Sequence, residues 1–414
     1  MRPPQDPSDV AAEASGLRSA VEIATDASAQ SDREAVALAA RREKAERERP
    51  EEASVAVARA PPPEGAATKF CSVCRVKGHG GRYVEVLLQR PDWKLLESQK
   101  WFQDDAHNQY HCPKGSRLVD FTDEMHFSRL AMYLKGRQCL ENKGRLAKLA
   151  LGLMPETFHI RDRQWVDGVA PADEAGDTLP WFVKEAEGNE GSFVECCQKA
   201  SQCMGLARAG LNYVVQQHVR DQLLHEGRKF HLRVHGLITC LEDGRTWRIY
   251  AFRDGYLNIS PKQWAAADTS RDTQVVIYRS QRIGGWQPWA ELYPKFKASF
   301  ATVIERAVAQ GGLEGRLGKK QFEITSMDYM VDTHGEVWLL EFNMGPVLRD
   351  GHLDPELNDD EMVTSAFEII APRDPRHETL RSPPNAGQWD FVGEFIGPEP
   401  LPPASPDDVA APPP

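Results

Sequence analysis

The sequence predicts an α+β protein in which strands and helices are mixed along one globular stretch. Two patterns predict this class. From Leu179 onward, short runs rich in β-branched and aromatic residues recur between turn residues, as is typical of strands. Helical spacing of apolar residues separates some of these runs, most clearly over Trp289 to Ala309. With 414 residues, 41% of them apolar, the chain is long enough to bury a sizeable core.

Composition divides the chain into four predicted parts. The first is rich in Ala, Glu and Arg and the last holds eight prolines in 17 residues, so we expect both to be disordered tails. The second part is predicted to be a small α/β module, with a strand over 83–88 and a helix within 125–134. The third part carries the strand-rich remainder. The predicted boundaries are 1–68, 69–158, 159–397 and 398–414.

Charge and cysteine content argue against several classes of protein. The net charge is −11, but the two tails carry much of it and the central stretch is close to neutral, which argues against a general nucleic-acid binder. No run approaches the ~18 apolar residues of a membrane helix, and the start of the chain lacks a secretory signal pattern. Eight thinly spread cysteines favour reduced thiols. We therefore expect a cytoplasmic protein that binds neither nucleic acid nor membrane.

Cationic side chains mark one face of a predicted strand. In KFHLRVHGLITCL, Lys229, His231 and Arg233 point to one side because strand residues alternate between faces. The Asp-Gly turn at 243–244 predicts a hairpin that brings Arg253 of the next strand to the same side. Cations gathered in this way need an anion, and a polyphosphate is one candidate. A solvated strand face is the alternative.

A second predicted hairpin carries oxygen ligands. Two strand-like runs flank the loop at 333–335, which sets Asp328 roughly across from Leu340 and Glu341, while Asn343 shares a face with Glu341. The neighbouring residues are apolar, so these polar groups require partners. Two carboxylates and a carboxamide, without Cys or His beside them, suit a hard cation such as Mg²⁺. A buried ion pair or a hydrogen-bonded network is the alternative.

Two further strand ends carry polar residues. Lys184 ends a strand-like run before a loop with Gly188 and Gly191, and glycines allow the backbone to approach a phosphate closely. The run NYVVQQHV ends in the polar residues 216–218, whose backbone groups are candidates to bind the edge of an adenine. A plain turn and a strand that simply reaches the surface are the alternatives for these two segments.

The order of these features resembles the ATP-grasp domain of the tubulin tyrosine ligase-like family. The resemblance spans about Met154 to Leu348 and is carried by R-K-F-x-x-R at 228–233, R-x-G-Y at 253–256, and the D-Y-M-V-D and W-L-L-E-F-N runs of the second hairpin. It implies an ATP-grasp-like fold and an ATP-dependent ligase that adds tyrosine, glutamate or glycine to a tubulin tail through an acyl phosphate. The implied cofactors are ATP and Mg²⁺, and the implied partners are a tubulin tail and a free amino acid. The implied location is the cytoplasm, with its cytoskeleton or cilium.

The resemblance also implies roles for individual residues. ATP would contact Lys143, Lys184, Gln216, Gln217, His218, Val219, Lys229 and His231; phosphates and the developing acyl phosphate would contact Arg233 and Arg253; and Mg²⁺ would be held by Asp328, Glu341 and Asn343. An acidic tail would require a basic patch near the cleft, for which the candidates are Lys77, Arg82, Arg90, Arg316, Lys319 and Lys320.

Three departures from the family pattern keep other functions open. His231 stands where the K-F-D-x-R motif has an acid, Glu185 replaces the usual proline, and the segment 272–286 replaces an H-L-T-N-like run. A catalytically inactive, tubulin-binding or scaffold member of the family is therefore one alternative. A ligase that acts on an acceptor other than tubulin is a second.

A zinc site is a separate alternative near the start of the globular stretch. Cys71 and Cys74 form a C-x-x-C pair, which suits two ligands of a tetrahedral zinc site. The residues of ligand type that follow them are His79, His107, His111 and Cys112. Their spacing is not that of a standard second half-site, so reduced structural cysteines are the competing interpretation.

Overall fold

The computed structural model describes most of residues 134–400 and several short segments before them. All of the described residues lie in one compact unit, residues 61–414. The described ranges are 69–73, 83, 86–91, 93–95, 119–121, 130–132, 134–173, 179–188, 194–276, 279–318, 320–345 and 359–400. The two predicted tails therefore fall outside the described residues, except for 398–400.

The described residues form strands and α-helices that are numbered here in chain order. The strands are β1 (Lys69–Val73), β2 (Trp93–Leu95), β3 (Val119–Phe121), β4 (Leu130–Met132), β5 (Thr157–Arg161), β6 (Gln164–Trp165), β7 (Trp181–Glu185), β8 (Val194–Cys197), β9 (Asn212–Gln217), β10 (Arg228–Cys240), β11 (Thr246–Gln263), β12 (Arg279–Arg282), β13 (Lys320–Val331), β14 (Val337–Met344) and β15 (Trp389–Ile396). The helices are α1 (Gln138–Glu141), α2 (Lys143–Leu149), α3 (Cys203–Leu206), α4 (Arg271–Gln274), α5 (Trp289–Ala309) and α6 (Asp360–Ile370). None of these helices has the length and apolar character needed to cross a membrane.

The strands form two sheets. The larger sheet has the order β12-β11-β10-β13-β4-β3-β1-β2, with β14 also paired to β13 and β15 also paired to β11. Its neighbours are antiparallel except for the β1–β2 and β4–β13 pairs, so the short N-terminal strands extend the main sheet. The smaller sheet is antiparallel and has the order β6-β5-β9-β7-β8. This mixture of helices and mainly antiparallel sheets confirms the predicted α+β, ATP-grasp-like class.

Two helices cover opposite faces of the larger sheet. On β13, Tyr329 faces the amphipathic helix α5 and packs against the edge of the Phe296 ring, 5.5 Å between centroids. Phe322 points to the other face and packs against Phe367 of α6. Asp328 follows the same alternation as Phe322, so its side chain lies on the α6 side of the sheet. The candidate site is built on this second face.

Both predicted hairpins and the long helix are confirmed. The turn between β10 and β11 includes Gly244, whose φ of +67° is a conformation that favours glycine. The loop between β13 and β14 includes Gly335, with a φ of +74°. Helix α5 spans the range that the apolar period predicts. The turn residues and the helical spacing of apolar residues were therefore sufficient to place these elements.

Two local predictions in the N-terminal part were wrong. The predicted strand over 83–88 is helical at its described residues, because Tyr83, Val86 and Leu87 have the spacing of one helical face and are all buried. Leu130–Met132 forms strand β4 where a helix was predicted, because it pairs with β13 on one side and with β3 on the other. In both places tertiary contacts decided between two patterns that short apolar runs leave ambiguous.

Candidate active site

A row of polar side chains crosses five neighbouring strands of the larger sheet. Glu341 on β14 pairs with Asp328 on β13, and Asp328 pairs with Arg233 on β10. Arg233 pairs with Tyr256 on β11, and Tyr256 pairs with Arg282 on β12. Residues directly opposite each other on antiparallel strands point to the same face, so all five share one side of the sheet. We call Glu341, Asp328, Arg233, Tyr256 and Arg282 the polar row.

The acidic end of the polar row contains all three residues of the predicted magnesium site. The amide nitrogen of Asn343 lies 3.0 Å from Glu341 Oε1 and 3.4 Å from Asp328 Oδ2. The side chain of Asp328 is almost fully buried, whereas that of Glu341 is partly exposed. The structure therefore brings two carboxylates and one carboxamide within reach of a common point.

Arg233 binds Asp328 through two parallel hydrogen bonds. Its Nε donates to Oδ1 at 2.8 Å and its Nη2 donates to Oδ2 at 2.7 Å. Burial alone would raise the pKa of Asp328, but the charge and hydrogen bonds of Arg233 hold this pKa below its ordinary value. The carboxylate of Asp328 is thus ionised in the folded protein, and the guanidinium that holds it is fixed in one orientation.

His231 lies beside this ion pair as a neutral ring. Its Nε2 is 2.7 Å from the amide nitrogen of Asn258 and 3.7 Å from Asp328 Oδ2. Burial lowers the pKa of His231 below its ordinary value, and the charge of Arg233 acts in the same direction. The residue that departs from the family motif therefore adds no positive charge to the site at neutral pH.

Two lysines approach the acidic end of the row. Lys143, at the start of α2, lies 3.5 Å from Glu341 Oε2 and donates to the carbonyl of Gly188 at 2.5 Å. Lys184, on β7 of the smaller sheet, donates to Gln216 Oε1 at 2.6 Å. Burial lowers the pKa of Lys184 to about 8, although the negative charge of Glu341 acts to raise it. The two sheets therefore meet with cations beside the carboxylates.

The basic strand face continues to Lys229, which contacts the smaller sheet directly. The ammonium of Lys229 lies 4.4 Å from the centroid of the Phe182 ring on β7 and donates to Gln274 Oε1 at 3.1 Å. Burial lowers the pKa of Lys229 to about 7. Lys229, His231 and Arg233 thus line one side of the contact between the sheets, as alternation along β10 predicts.

The residues predicted to bind the adenine, 216–219, lie at the end of β9, on the same side as Phe182. Gln216 and Gln217 are the last residues of the strand, and Gln216 is held by Lys184. The buried ring of His218 stacks on Phe182 at 5.8 Å, and its Nδ1 is 2.7 Å from the carbonyl of Val219. Burial lowers the pKa of His218 to about 3, so this ring is neutral. The structure therefore places residues 216–219 next to Lys184 and opposite strand β10.

The prediction that Arg253 shares a face with Arg233 was wrong. A register shift between Val234 and Gly236 disrupts the pairing of β10 with β11 just where Arg253 lies. The guanidinium of Arg253 instead donates to Asp390 on β15, at 2.7 and 3.1 Å, and is largely exposed. Alternation from the Asp-Gly turn already sets Arg253 opposite Val234 and not opposite Arg233, and the shift of two residues leaves the faces of β11 unchanged.

Arg282 is the second arginine of the polar row, and sequence reasoning missed it. Its guanidinium lies 4.7 Å from the Tyr256 ring, two strands from Arg233. Arg282 belongs to the segment 272–286, which was noted only as a departure from the family pattern. The sequence gives little indication of where Arg282 lies, because no local pattern specifies that β12 pairs with β11.

The predicted basic patch is only partly described, and two of its members were misplaced. Arg90 is buried and binds Glu368 at 3.0 Å, and Lys320 is buried beside the carbonyl of Ile369. Neither side chain is exposed enough to bind an acidic peptide, whereas the side chain of Arg316 is partly exposed. The candidates Lys77, Arg82 and Lys319 lie outside the described residues.

The proposed zinc ligands also lie largely outside the described residues. Only Cys71 falls within a described strand, β1, and nothing of its side chain is described. In the ranges that the structure covers, no group of three or more His, Cys, Asp or Glu side chains has the arrangement of a metal site. The Asp328 and Glu341 pair with Asn343 is of a different kind, since its third residue is an amide. The two carboxylates fit Mg²⁺, which would share Asp328 with Arg233. Asn343, whose amide nitrogen faces the carboxylates in this structure, would turn its oxygen toward the ion.

Gly255 explains why the R-x-G-Y motif contains a glycine. A Cβ atom at this position would lie 2.5 Å from the backbone oxygen of Arg233. Gly255→Ala is therefore expected to push β11 away from β10 and to lower the free energy of unfolding by about 1–3 kcal/mol. Urea denaturation would measure this change. Gly285→Ala is the matched control, because no atom lies within 4 Å of its Cβ position, and equal effects of the two changes would contradict the close approach.

Comparisons with known proteins find similarity to one family. The profile of the tubulin-tyrosine ligase family matches residues 117–278, which include the basic strand but end before the Asp328 hairpin. A probable alpha-tubulin polyglutamylase of Tetrahymena thermophila is 23% identical over 73% of this chain, which spans 84% of that protein. Tubulin glycylase 3D of the same organism is 22% identical over 42% of this chain, and the human protein monoglycylase TTLL8 is 23% identical over 41%. The chain spans only 19% and 23% of the lengths of these two glycylases. These matches and the motifs of the two hairpins agree in showing that the chain is similar to the tubulin-tyrosine ligase family.

Proposed function

We propose that this protein is an ATP-dependent ligase that adds an amino acid to a tubulin tail. The observation that carries the proposal is the convergence of Asp328, Glu341 and Asn343 with Arg233 and two lysines where the two sheets meet. Oxygen ligands for a cation beside guanidinium and ammonium groups form the combination that a metal-bound triphosphate requires. The relatives, a probable alpha-tubulin polyglutamylase and a tubulin glycylase by name, suggest tubulin as the acceptor and the general reaction class.

The proposed reaction joins a carboxylate to an amine in two steps. A carboxylate oxygen attacks the γ-phosphorus of ATP, the bond to the bridging oxygen breaks, and ADP leaves. The amine then attacks the carbonyl carbon of the acyl phosphate, loses a proton and expels inorganic phosphate, which leaves an amide bond. No side chain forms a covalent bond in either step, so the protein contributes positioning and charge neutralisation.

The residues of the site have separate roles in this reaction. Asp328, Glu341 and Asn343 would hold Mg²⁺, which neutralises phosphate charge when bound. Arg233, fixed by Asp328, presents its guanidinium toward the transferred phosphoryl group. Lys184 supplies a further cation from the smaller sheet. Since these groups are oriented before substrate arrives, little reorganisation is needed in the transition state.

A tubulin-binding protein without ligase activity is the second candidate function. His231 favours it, because a neutral, buried imidazole lies within 3.7 Å of Asp328 where the family motif has an acid. The relatives are glutamate- and glycine-adding enzymes by name, so these two amino acids are the first to test, with tyrosine as the third.

Incorporation of labelled amino acids into tubulin distinguishes the two candidates. The full chain would be incubated with MgATP, tubulin and labelled glutamate, glycine or tyrosine in turn. The ligase proposal predicts label in intact tubulin and none in tubulin whose acidic tails have been removed by proteolysis. Nucleotide and tubulin binding without incorporation of any amino acid would support the non-catalytic function instead.

Nucleotide affinity is expected to fall as the pH rises above about 7. Burial lowers the pKa of Lys229 to about 7 and that of Lys184 to about 8, and a lysine that has lost its proton no longer attracts a triphosphate. Affinity should therefore be highest below about pH 7 and weaken toward about pH 9. Titration of a fluorescent ATP analogue at several pH values would measure the dependence.

Lys184→Arg should make this dependence shallower, because a guanidinium stays protonated throughout the range. Lys295→Arg is the matched control, since Lys295 is exposed and pairs with Glu336 away from the polar row. Wild-type affinity that is constant across the range would contradict a nucleotide role for Lys184 and Lys229.

A further inference from the structure

Two cysteines of the smaller sheet lie in direct contact behind the proposed nucleotide site. The Sγ atoms of Cys197, the last residue of β8, and Cys203, the first residue of α3, are 3.2 Å apart. Both are free thiols, and they pack with Trp181 in the core of this sheet. A disulfide bond holds its sulfurs about 2 Å apart, so the two atoms need to move only about 1 Å closer to form one.

The surroundings of Cys197 favour its thiolate, which is the form that reacts with oxidants. The thiol of Cys203 donates to Cys197 Sγ, and this hydrogen bond lowers the pKa of Cys197 below its ordinary value. Burial instead raises the pKa of Cys139 and Cys196 to about 11 and that of Cys240 to about 12. Cys197 keeps 8% of its surface accessible, whereas Cys203 is fully enclosed. Among the described cysteines, Cys197 is therefore the first target of a small oxidant.

We propose that Cys197 and Cys203 form a peroxide-sensitive pair whose oxidation loosens the nucleotide site. The bond between them does not depend on the ligase function proposed above. Its effect on nucleotide affinity rests on that function, because a site that binds no nucleotide has no affinity to lose.

The oxidation proceeds in two steps with hydrogen peroxide as the oxidant. The thiolate of Cys197 attacks one peroxide oxygen, the O–O bond breaks, and hydroxide leaves behind a sulfenic acid on Cys197. The sulfur of Cys203 then attacks Cys197 Sγ, the S–O bond breaks, and the proton of the Cys203 thiol leaves with the oxygen as water. The two thiols lose two electrons together, and the peroxide is reduced to two molecules of water once the hydroxide has taken up the proton that Cys197 released.

A chain of hydrogen bonds connects the end of β8 to the basic strand. Gln198, the residue after β8, donates from Nε2 to the carbonyl of Ala266 at 3.2 Å. In the same segment, Gln274 of α4 donates to the carbonyl of Asp268 at 2.6 Å and accepts from the ammonium of Lys229 at 3.1 Å. A movement at the end of β8 therefore reaches the segment that holds Lys229 in place.

The position of Cys203 sets the direction of this movement. Cys197 and Cys203 point into the core of the smaller sheet, whereas Phe182 on the neighbouring strand β7 points toward Lys229. The new bond would draw Cys197 toward that core and away from the nucleotide side. The hydrogen bond of Gln198 is already at the long end of the normal range, so little further separation breaks it. Oxidation is therefore expected to weaken the support of Lys229.

Peptide mapping and hydrogen exchange test the pair without requiring turnover. The full chain would be treated with hydrogen peroxide, digested without reductant and analysed by mass spectrometry, which should show a bond between Cys197 and Cys203. The backbone amides of residues 268–275 should then exchange at least about fivefold faster. A fluorescent ATP analogue should bind at least about threefold more weakly. Dithiothreitol should reverse all three changes.

Cys203→Ser removes the second thiol and leaves Cys197 in place. Peroxide should then produce no bond and change the exchange of residues 268–275 by less than about twofold. Cys196→Ser is the matched control, because Cys196 is the adjacent thiol on the other face of β8 and its loss should leave the wild-type response intact. Melting temperatures would show that each variant is folded, and Cys203→Ala replaces Cys203→Ser if a buried serine unfolds the chain.

The outcomes separate this pair from the ligase function. The proposal is overturned if peroxide joins Cys197 to another cysteine or leaves it unjoined, or if the bond forms and the exchange of residues 268–275 does not change. It is also overturned if oxidised Cys203→Ser responds as the wild type does. A bond that forms and speeds exchange in a chain that binds no nucleotide would support the loosening of this segment and contradict the ligase.

Discussion

Glu341→Gln is expected to abolish amino-acid incorporation while leaving the protein folded. The change removes one of two carboxylates at the proposed magnesium site and weakens the contact with Lys143, 3.5 Å away. Loss of residues that merely support a metal ligand typically costs 10–100-fold in activity, so loss of a ligand itself should exceed about a hundredfold. Steady-state incorporation and Mg²⁺ dependence would measure the effect.

Stability should change little in this variant. Glutamine has the shape of glutamate and keeps an oxygen that accepts from Asn343. The buried ammonium of Lys143 keeps its other acceptor, the carbonyl of Gly188. Glu336→Gln is the matched control, because Glu336 is an exposed glutamate that pairs with Lys295 on the neighbouring loop. Full activity in Glu341→Gln would remove the metal assignment.

Arg233→Met is expected to lower the free energy of unfolding by about 3–5 kcal/mol at neutral pH and to abolish activity. The change leaves the Asp328 carboxylate buried without the guanidinium that neutralises it, which is the costly way to break a buried ion pair. Chemical denaturation and a nucleotide-binding titration would measure the two effects separately.

The pH dependence of this loss follows from the pKa of Asp328. Burial would raise this pKa, and Arg233 holds it below the ordinary value, so the pair stabilises the wild-type fold above about pH 4 and less so below. In Arg233→Met, burial acts unopposed by Arg233, and the carboxyl takes up a proton in the folded state. The stability difference between variant and wild type should therefore shrink as the pH falls toward about 4.

The double variant Arg233→Met with Asp328→Asn separates stability from function. With both charges gone, no uncompensated ion is buried, so much of the lost stability should return while activity stays absent. Arg376→Met is the surface control, since Arg376 pairs with Asp374 in solvent and its loss should cost less than about 1 kcal/mol. A double variant no more stable than Arg233→Met would contradict the buried-charge explanation.

Much of the site was predictable because its signals are local. Alternation along β10 placed Lys229, His231 and Arg233 on one face, and the loop at 333–335 set Asp328 opposite Glu341. Each of these inferences depends only on strand periodicity and on the length of one turn. The family resemblance then gave the order of the motifs, and the profile match agrees with it.

The amino-acid sequence by itself determined the faces of β10 and β13, the hairpins, the long helix and the family resemblance. Only the tertiary structure decided that Arg282 joins the polar row, and that Arg90 and Lys320 are buried. The physical reason is that a face is fixed by backbone periodicity within a few residues. The partner of a strand, the position of a bulge and the burial of a charge depend instead on segments far away in the chain.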